Sequence, residues 1–296
     1  MSRYLGCFKL SLPFNFHVTF DQLNISKQLL NALKDLGFNE PTPIQAEIYS
    51  VIMSGKDVVG IAQTGTGKTF AYLLPLLRQL KYSDQQQPRT LILVPTRELV
   101  IQVVDEIEKL TAYMTVRVTG IYGGTNINNQ KTIVFNGLDI LVATPGRLLD
   151  LIQNGVLRLK SIQKLVIDEM DEMLTLGFRS QLTRIMDLLP EKRQNLLFSA
   201  TISEDIEKLI STFFSHPEKI EIAASGTPLL QIHQKAYKVP NYYTKINLLQ
   251  HLLKDEKIFK KVLVFVNSKN RADMVYDLLK SKFIGQVDVM HGNKSQ

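Results

Sequence analysis

Short apolar runs rich in β-branched residues alternate along this chain with amphipathic stretches, and that alternation narrows the possible folds more than any other feature. The runs are residues 58–62, 90–95, 116–122, 139–143, 164–167, 195–198 and 219–222. Helical patterns lie between them at 97–112, 146–153 and 204–214. Strands that are apolar throughout are buried on both faces, and strands separated by helices pair in parallel. The expectation is an α/β fold: a doubly wound parallel sheet, complete near residue 223. Small residues, a Gly and a Pro then break both periodicities, so 224–230 reads as a linker. A second, similar series follows. Strands are expected at 231–239, 261–266 and 286–290, with helices at 244–254 and 271–282. That is about half of a further domain, in residues 231–296.

Within the first series, residues 58–69 combine a buried strand, the turn Thr64, Gly65, Thr66, Gly67, and a helix opening on Lys68 and Thr69. Glycines let the backbone bend so that successive N–H groups face an anion, and the helix aims its positive end at the same point. Lys68 can reach the β- and γ-phosphates, and the Thr69 hydroxyl can ligate Mg²⁺. The usual motif has a glycine where this chain has Ala62; a small residue still fits the turn. The plainer alternative is a glycine turn that binds nothing.

The strand at 164–167 ends in Asp168, Glu169, Met170 and Asp171. Ligands bind at the C-terminal edge of a parallel sheet. There Asp168 can hold Mg²⁺ and Glu169 can orient and deprotonate a water. A kinase would not need the second acid, so the pair favours hydrolysis. A strand end made polar by solvent is the alternative.

Composition excludes other classes. A 45% hydrophobic and 21% charged chain is neither disordered nor fibrous. Its one cysteine, Cys7, forms no internal disulfide or cysteine-based zinc cluster, and the five histidines lack ligand spacing. No apolar run approaches the ~18 residues of a membrane span. Lys9, Pro13 and Asn15 interrupt any signal-peptide core, so residues 1–19 read as a loosely attached extension of a cytoplasmic protein. The net charge of +7 is unevenly placed: residues 224–296 hold twelve Lys and Arg against five Asp and Glu, and the rest of the chain is neutral. A basic segment beside a neutral domain suits a polyanion, although a merely soluble lysine-rich surface would look the same.

The motifs in order resemble the DEAD-box RNA helicases of superfamily 2. Gly37, Phe38, Pro41, Thr42, Pro43, Ile44 and Gln45 are similar to their Q motif, here within 18–46, with Phe20 as the isolated upstream aromatic. Residues 62–69 resemble motif I, 95–99 motif Ia, Gly123 and Gly124 the GG motif, and 144–147 motif Ib. Residues 168–171 resemble the DEAD motif with Met170 in place of alanine, 199–201 motif III, and 264–268 motif IV. The resemblance implies a RecA-like domain at 20–223, a partial second RecA-like domain, ATP and Mg²⁺ as cofactors, and RNA as partner, as a single strand or short duplex with little sequence specificity. It implies that Gln45 pairs with the adenine edge and Phe38 stacks on it. It places Arg97, Gly123, Gly124, Thr144, Arg147 and Asn267 on the RNA backbone. Ser199 and Thr201, by hydrogen-bonding Asp171, would couple hydrolysis to closure on RNA. Lys68, Asp168, Glu169, Asp171, Ser199 and Thr201 would then be the catalytic set.

The family's second domain also carries motif V and the His-Arg-x-Gly-Arg-x-x-Arg motif VI. Neither occurs here, and the single arginine after Gly226 is Arg271. The expectation is a fragment of a helicase with little activity by itself, the alternative being a non-catalytic module that binds ATP and RNA.

Overall fold

The computed structural model describes residues 18–125, 137–222 and 233–294. The chain forms two compact units, Met1–Thr227 and Pro228–Gln296. Residues 1–17 of the extension at 1–19, the linker at 224–230 and the start of the strand expected at 231–239 lie outside the described residues.

In the first unit seven strands form one sheet: β1 (Val58–Ala62), β2 (Thr90–Leu93), β3 (Val118–Ile121), β4 (Ile140–Ala143), β5 (Lys164–Ile167), β6 (Gln194–Ser199) and β7 (Glu218–Ile222). Their order is β3-β4-β2-β5-β6-β1-β7, and every pairing is parallel. The fold is α/β and doubly wound, and each strand lies within one or two residues of its sequence reading.

Side chains alternate across the sheet, and both faces are buried. Val59, Ile61, Leu91, Leu93, Leu165, Ile167 and Leu197 enter one core. Val58, Ala62, Ile92, Val94, Val166, Leu196 and Phe198 enter the other. The helices divide accordingly. Apolar stripes of α1 (Lys27–Asp35), α2 (Pro43–Met53), α3 (Lys68–Gln79) and α4 (Arg97–Leu110) cover the second core. Those of α5 (Pro145–Gln153), α6 (Met170–Thr175), α7 (Arg179–Leu188) and α8 (Glu204–Phe213) cover the first. Side-chain caps fix several starts: Ser26, Thr96 and Ser203 accept from the backbone N–H of Leu29, Leu99 and Ile206. The edge strand β7 carries the outward charges Glu218, Lys219 and Glu221, which discourage pairing with a further chain. Phe20 is buried against the same core as α1 and α2, and Met170 is completely buried among Met173 and its neighbours.

The second unit differs from the sequence reading. Its helices α9 (Tyr242–Leu253) and α10 (Lys269–Lys280) form, packed through Ile246, Val275 and Leu279. Among its described residues no segment joins a hydrogen-bonded ladder, so 261–266, 286–290 and the described part (233–239) of the strand expected at 231–239 are not strands. A cleft of about 1070 Å³ is lined by both 262–268 and 286–292, and neither segment joins a ladder. A parallel strand needs bonded neighbours and cover on its faces. Without them Phe265 is 87% exposed.

Candidate nucleotide and RNA-binding site

Sheet order decides what meets at the C-terminal edge. Strands β5, β6 and β1 are neighbours, and the loops leaving them carry residues 168–171, 199–201 and 63–69. Strands β3, β4 and β2 are the other neighbours, leading into Gly123 and Gly124, Thr144 to Arg147, and Arg97. The first three strands gather the residues assigned to nucleotide; the next three gather those assigned to RNA.

The loop after β1 is shaped by Gly65 and Gly67, at φ +80° and +89°, a region open to glycine and closed to most other residues. Thr66 Oγ1 donates to the Gln63 carbonyl at 2.8 Å and closes the turn on itself, while Thr64 and Gly65 face solvent. Lys68 opens α3 and is buried. Its ammonium lies 3.1 Å from the Glu169 carboxylate.

Glu169 itself sits at φ +51°, ψ +52°, a left-handed conformation that a non-glycine residue adopts at a cost of about 1–2 kcal/mol. This reversal turns the chain from β5 into α6 and sends Asp168 and Glu169 in different directions. Asp168 is buried, with Oδ2 accepting from the Tyr72 hydroxyl at 3.0 Å and Oδ1 from the Glu169 N–H at 2.9 Å. Burial, and secondly the charge of Glu169, push its carboxyl up to about 6, against the pull of Lys68.

Asp171 is held from the loop after β6. Its Oδ2 accepts from Thr201 N–H at 3.1 Å and Thr201 Oγ1 at 3.0 Å. Its own N–H donates to Ser199 Oγ at 3.3 Å, and that hydroxyl donates to the Thr201 carbonyl at 2.7 Å. The helix that follows is capped separately, by Ser203.

Gln45, in the first turn of α2, is buried. Its Oε1 accepts from Thr42 N–H at 3.0 Å and its Nε2 donates to the Gly67 carbonyl at 3.2 Å. The amide therefore ties the start of α2 to the glycine loop after β1, a role the sequence did not announce. Phe38 is 46% exposed and meets Phe70 edge-on at 5.2 Å, so one face of a ring remains open to stack.

At the other half of the edge, Arg97 begins α4 with its guanidinium 5.2 Å over the Tyr122 ring. Gly123 and Gly124 have open space where a side chain would stand. Thr144 is buried at the start of α5, its N–H donating to the Ile121 carbonyl. Arg147 donates from Nη2 to the Thr125 carbonyl at 3.1 Å and lies 3.7 Å from Asp150. Asn267 is in the second unit, in the exposed segment before α10. Sequence reasoning missed Phe70 and Tyr72: both fall in an apolar stretch of α3, and nothing but their spacing from Lys68 marks them.

Among the described residues no three His, Cys, Asp or Glu side chains converge on one point. The donor set around Lys68 nonetheless suits a hard cation shared with phosphate oxygens. Asp168 supplies a buried carboxylate and Thr69 a half-buried hydroxyl at the start of α3.

The chain is similar to known proteins over most of its length. Residues 42–209 match the DEAD/DEAH box helicase family. The chain is 36% identical over 278 residues to the DEAD-box ATP-dependent RNA helicase CshA of Geobacillus kaustophilus, covering 94% of this chain and 59% of that protein. It is 38% identical over 266 residues to the ATP-dependent RNA helicase DeaD of Escherichia coli K12, covering 90% of this chain and 42% of that protein. A DEAD box protein from Methanococcus jannaschii has a crystal structure that superposes with a TM-score of 0.66 at 34% identity, covering 94% of this chain and 74% of that one. The chain thus spans about half the length of these curated relatives. With its glycine loop, strand-end acids and Ser-Ala-Thr loop on adjacent strands of one parallel sheet, the chain belongs to the DEAD/DEAH box helicase family.

Proposed function

We propose that this chain is the ATP- and RNA-binding part of an ATP-dependent RNA helicase of the DEAD-box type. Its phosphate loop takes ATP with Mg²⁺, and the adjoining sheet edge takes the RNA backbone. The observation that carries the reading is the run of contacts from Lys68 to Glu169 in one loop and from Asp171 to Ser199 and Thr201 in the next. It joins the cation for the terminal phosphates to the loop that the family uses to sense closure on RNA.

In this reading Lys68 binds the β- and γ-phosphates, and the N–H groups of 64–69 cradle them. Asp168 and Thr69 hold Mg²⁺, which neutralises charge developing on the γ-phosphate. Glu169, released from Lys68 when phosphate takes the ammonium, orients the attacking water and accepts its proton. Gln45 reads the adenine edge and Phe38 stacks on the base.

Arg97 and Arg147 offer guanidinium forks to phosphate, and Gly123 and Gly124 let the strand approach the backbone. None of these groups reads a base, so binding follows the sugar-phosphate chain, with 2′-hydroxyl contacts favouring RNA. Asn267 would contribute from the second unit. The relatives are named as ATP-dependent RNA helicases, and for the whole protein the proposal is the coupling of ATP hydrolysis to local duplex opening.

Anisotropy titration of labelled single-stranded RNA tests the RNA half. Unrelated RNA sequences should bind alike, DNA more weakly, and affinity should fall steeply with salt. Arg97→Ala should weaken every sequence equally. Preference for one RNA sequence, or indifference to salt, would overturn the reading.

A further inference from the structure

Helix α3 carries a side chain that none of the motifs includes. Tyr72 is fully buried, its ring packed on Phe198 of β6 with centroids 5.1 Å apart. It lies four residues after Lys68, on the same face of the helix. A phenylalanine would fill the same apolar space, so packing does not explain the hydroxyl. A hydroxyl taken out of water must find a partner, and this one donates to Asp168 Oδ2 at 3.0 Å.

The Glu169 N–H holds the other oxygen, Oδ1, at 2.9 Å. Two donors on two different oxygens leave a carboxylate one orientation. With one of them gone, the group can rotate about its remaining bond, and the nearby Lys68 ammonium attracts it.

Resting on the ATP–Mg²⁺ reading above, we propose that Tyr72 is a positioning residue for Asp168. Its hydroxyl sets the carboxylate in the orientation from which Asp168 and Thr69 hold the nucleotide's magnesium. Partners of this kind change metal affinity by about 10–100-fold when removed.

The experiment measures the Mg²⁺ concentration that half-saturates binding of a fluorescent ADP to the 296-residue protein. It compares wild type, Tyr72→Phe, Asp168→Asn and the double variant, and follows each melting temperature in EDTA. Tyr72→Phe should raise the half-saturating Mg²⁺ about 10-fold, with nucleotide affinity in EDTA and the melting temperature unchanged. In the Asp168→Asn background the same substitution should add nothing, because the hydroxyl acts through that carboxylate. A wild-type Mg²⁺ response that Tyr72→Phe leaves unaltered overturns the proposal and keeps the site. A shift that persists in the Asp168→Asn background overturns it as well. A Tyr72→Phe protein that fails to fold, or melts far lower in EDTA, assigns the bond to stability of the fold instead. Absence of any Mg²⁺ response in wild type removes the reading of the site itself.

Discussion

The Lys68 ammonium stands 3.1 Å from the Glu169 carboxylate, so a terminal phosphate and the residue proposed to activate water compete for one cation. Lys68→Ala removes the group that reaches the terminal phosphates, and it should reduce nucleotide affinity by at least about 100-fold, from the ~3 kcal/mol of a buried charge-assisted contact. Glu169→Gln removes only the competitor. It should leave ADP binding intact or a few-fold tighter. Isothermal titration of both variants checks the pair, and a Glu169→Gln protein that no longer binds ADP would contradict the competition.

Gly67 is the tightest point of the loop. A Cβ there would meet Gln45 Nε2 at 2.6 Å and Thr42 Oγ1 at 3.2 Å, on a backbone at φ +89°. Gly67→Ala should therefore break the bond from Gln45 to the loop, lower stability by about 1–2 kcal/mol and weaken nucleotide binding more than about tenfold. Gly65→Ala meets nothing within 4 Å and carries only the strain of φ +80°, so its effect on stability should be the smaller. Thermal melts of the two variants give the comparison.

The strands were readable because β1, β2, β4 and β6 are buried at every position and lie between helical patterns, a signal carried by the local chain alone. The loop glycines and the acids after β5 were readable for the same reason. Contacts between distant segments were not. That Gln45 grips Gly67, or that Tyr72 meets Asp168, depends on which strands become neighbours, and hydrophobic periodicity does not encode neighbour order. The reading of 261–266 as a strand failed in the opposite direction. Its pattern suits a buried strand, but a strand exists only when another pairs with it, and Phe265 remains exposed.

Asp139 provides a pH test remote from the nucleotide. Burial acts to raise its carboxyl, but hydrogen bonds from Arg117 and Arg89 outweigh burial and hold it below the usual value. The distances are 3.1 Å from Arg117 Nε and 2.8 Å from Arg89 Nη2. Because the folded-state value is depressed, this carboxylate stabilises the protein above its unfolded value of 3.8, and that contribution is lost as pH falls through the folded value. Asp139→Ala should destabilise by about 1–3 kcal/mol at pH 7, since it takes the carboxylate from the half-buried Arg89, while Arg117 keeps the carbonyls of Ser83 and Gln85. The gap from wild type should narrow as pH drops below about 4. Denaturant melts at pH 7 and below pH 4 measure it.

Turnover by these 296 residues should be slow. Lys68 is the cation beside the strand-end acids, and Arg271, the single arginine after Gly226, lies 6.0 Å over the Tyr242 ring of its own unit. Arginines that reach the γ-phosphate contribute about 10³–10⁵ in rate. Phosphate release from bound ATP should therefore be near background and little changed by single-stranded RNA. Robust RNA-stimulated release would show that another group supplies the charge.

The most direct test of the nucleotide site is competition of ADP and GDP for a fluorescent ADP, with Mg²⁺ present. Gln45 already spends one lone pair on Thr42 N–H and one N–H on the Gly67 carbonyl. The amide's second lone pair and second N–H remain for a base. Adenine offers the donor N6 beside the acceptor N7, which matches that pair; guanine offers the acceptor O6 in place of the donor and does not. A bidentate match of this kind is worth about 1–3 kcal/mol, so ADP should displace the probe at least about tenfold better than GDP, and Gln45→Ala should erase the difference. Equal displacement by the two nucleotides in wild type would contradict the assignment of this chain as an adenine-reading, ATP-dependent helicase module.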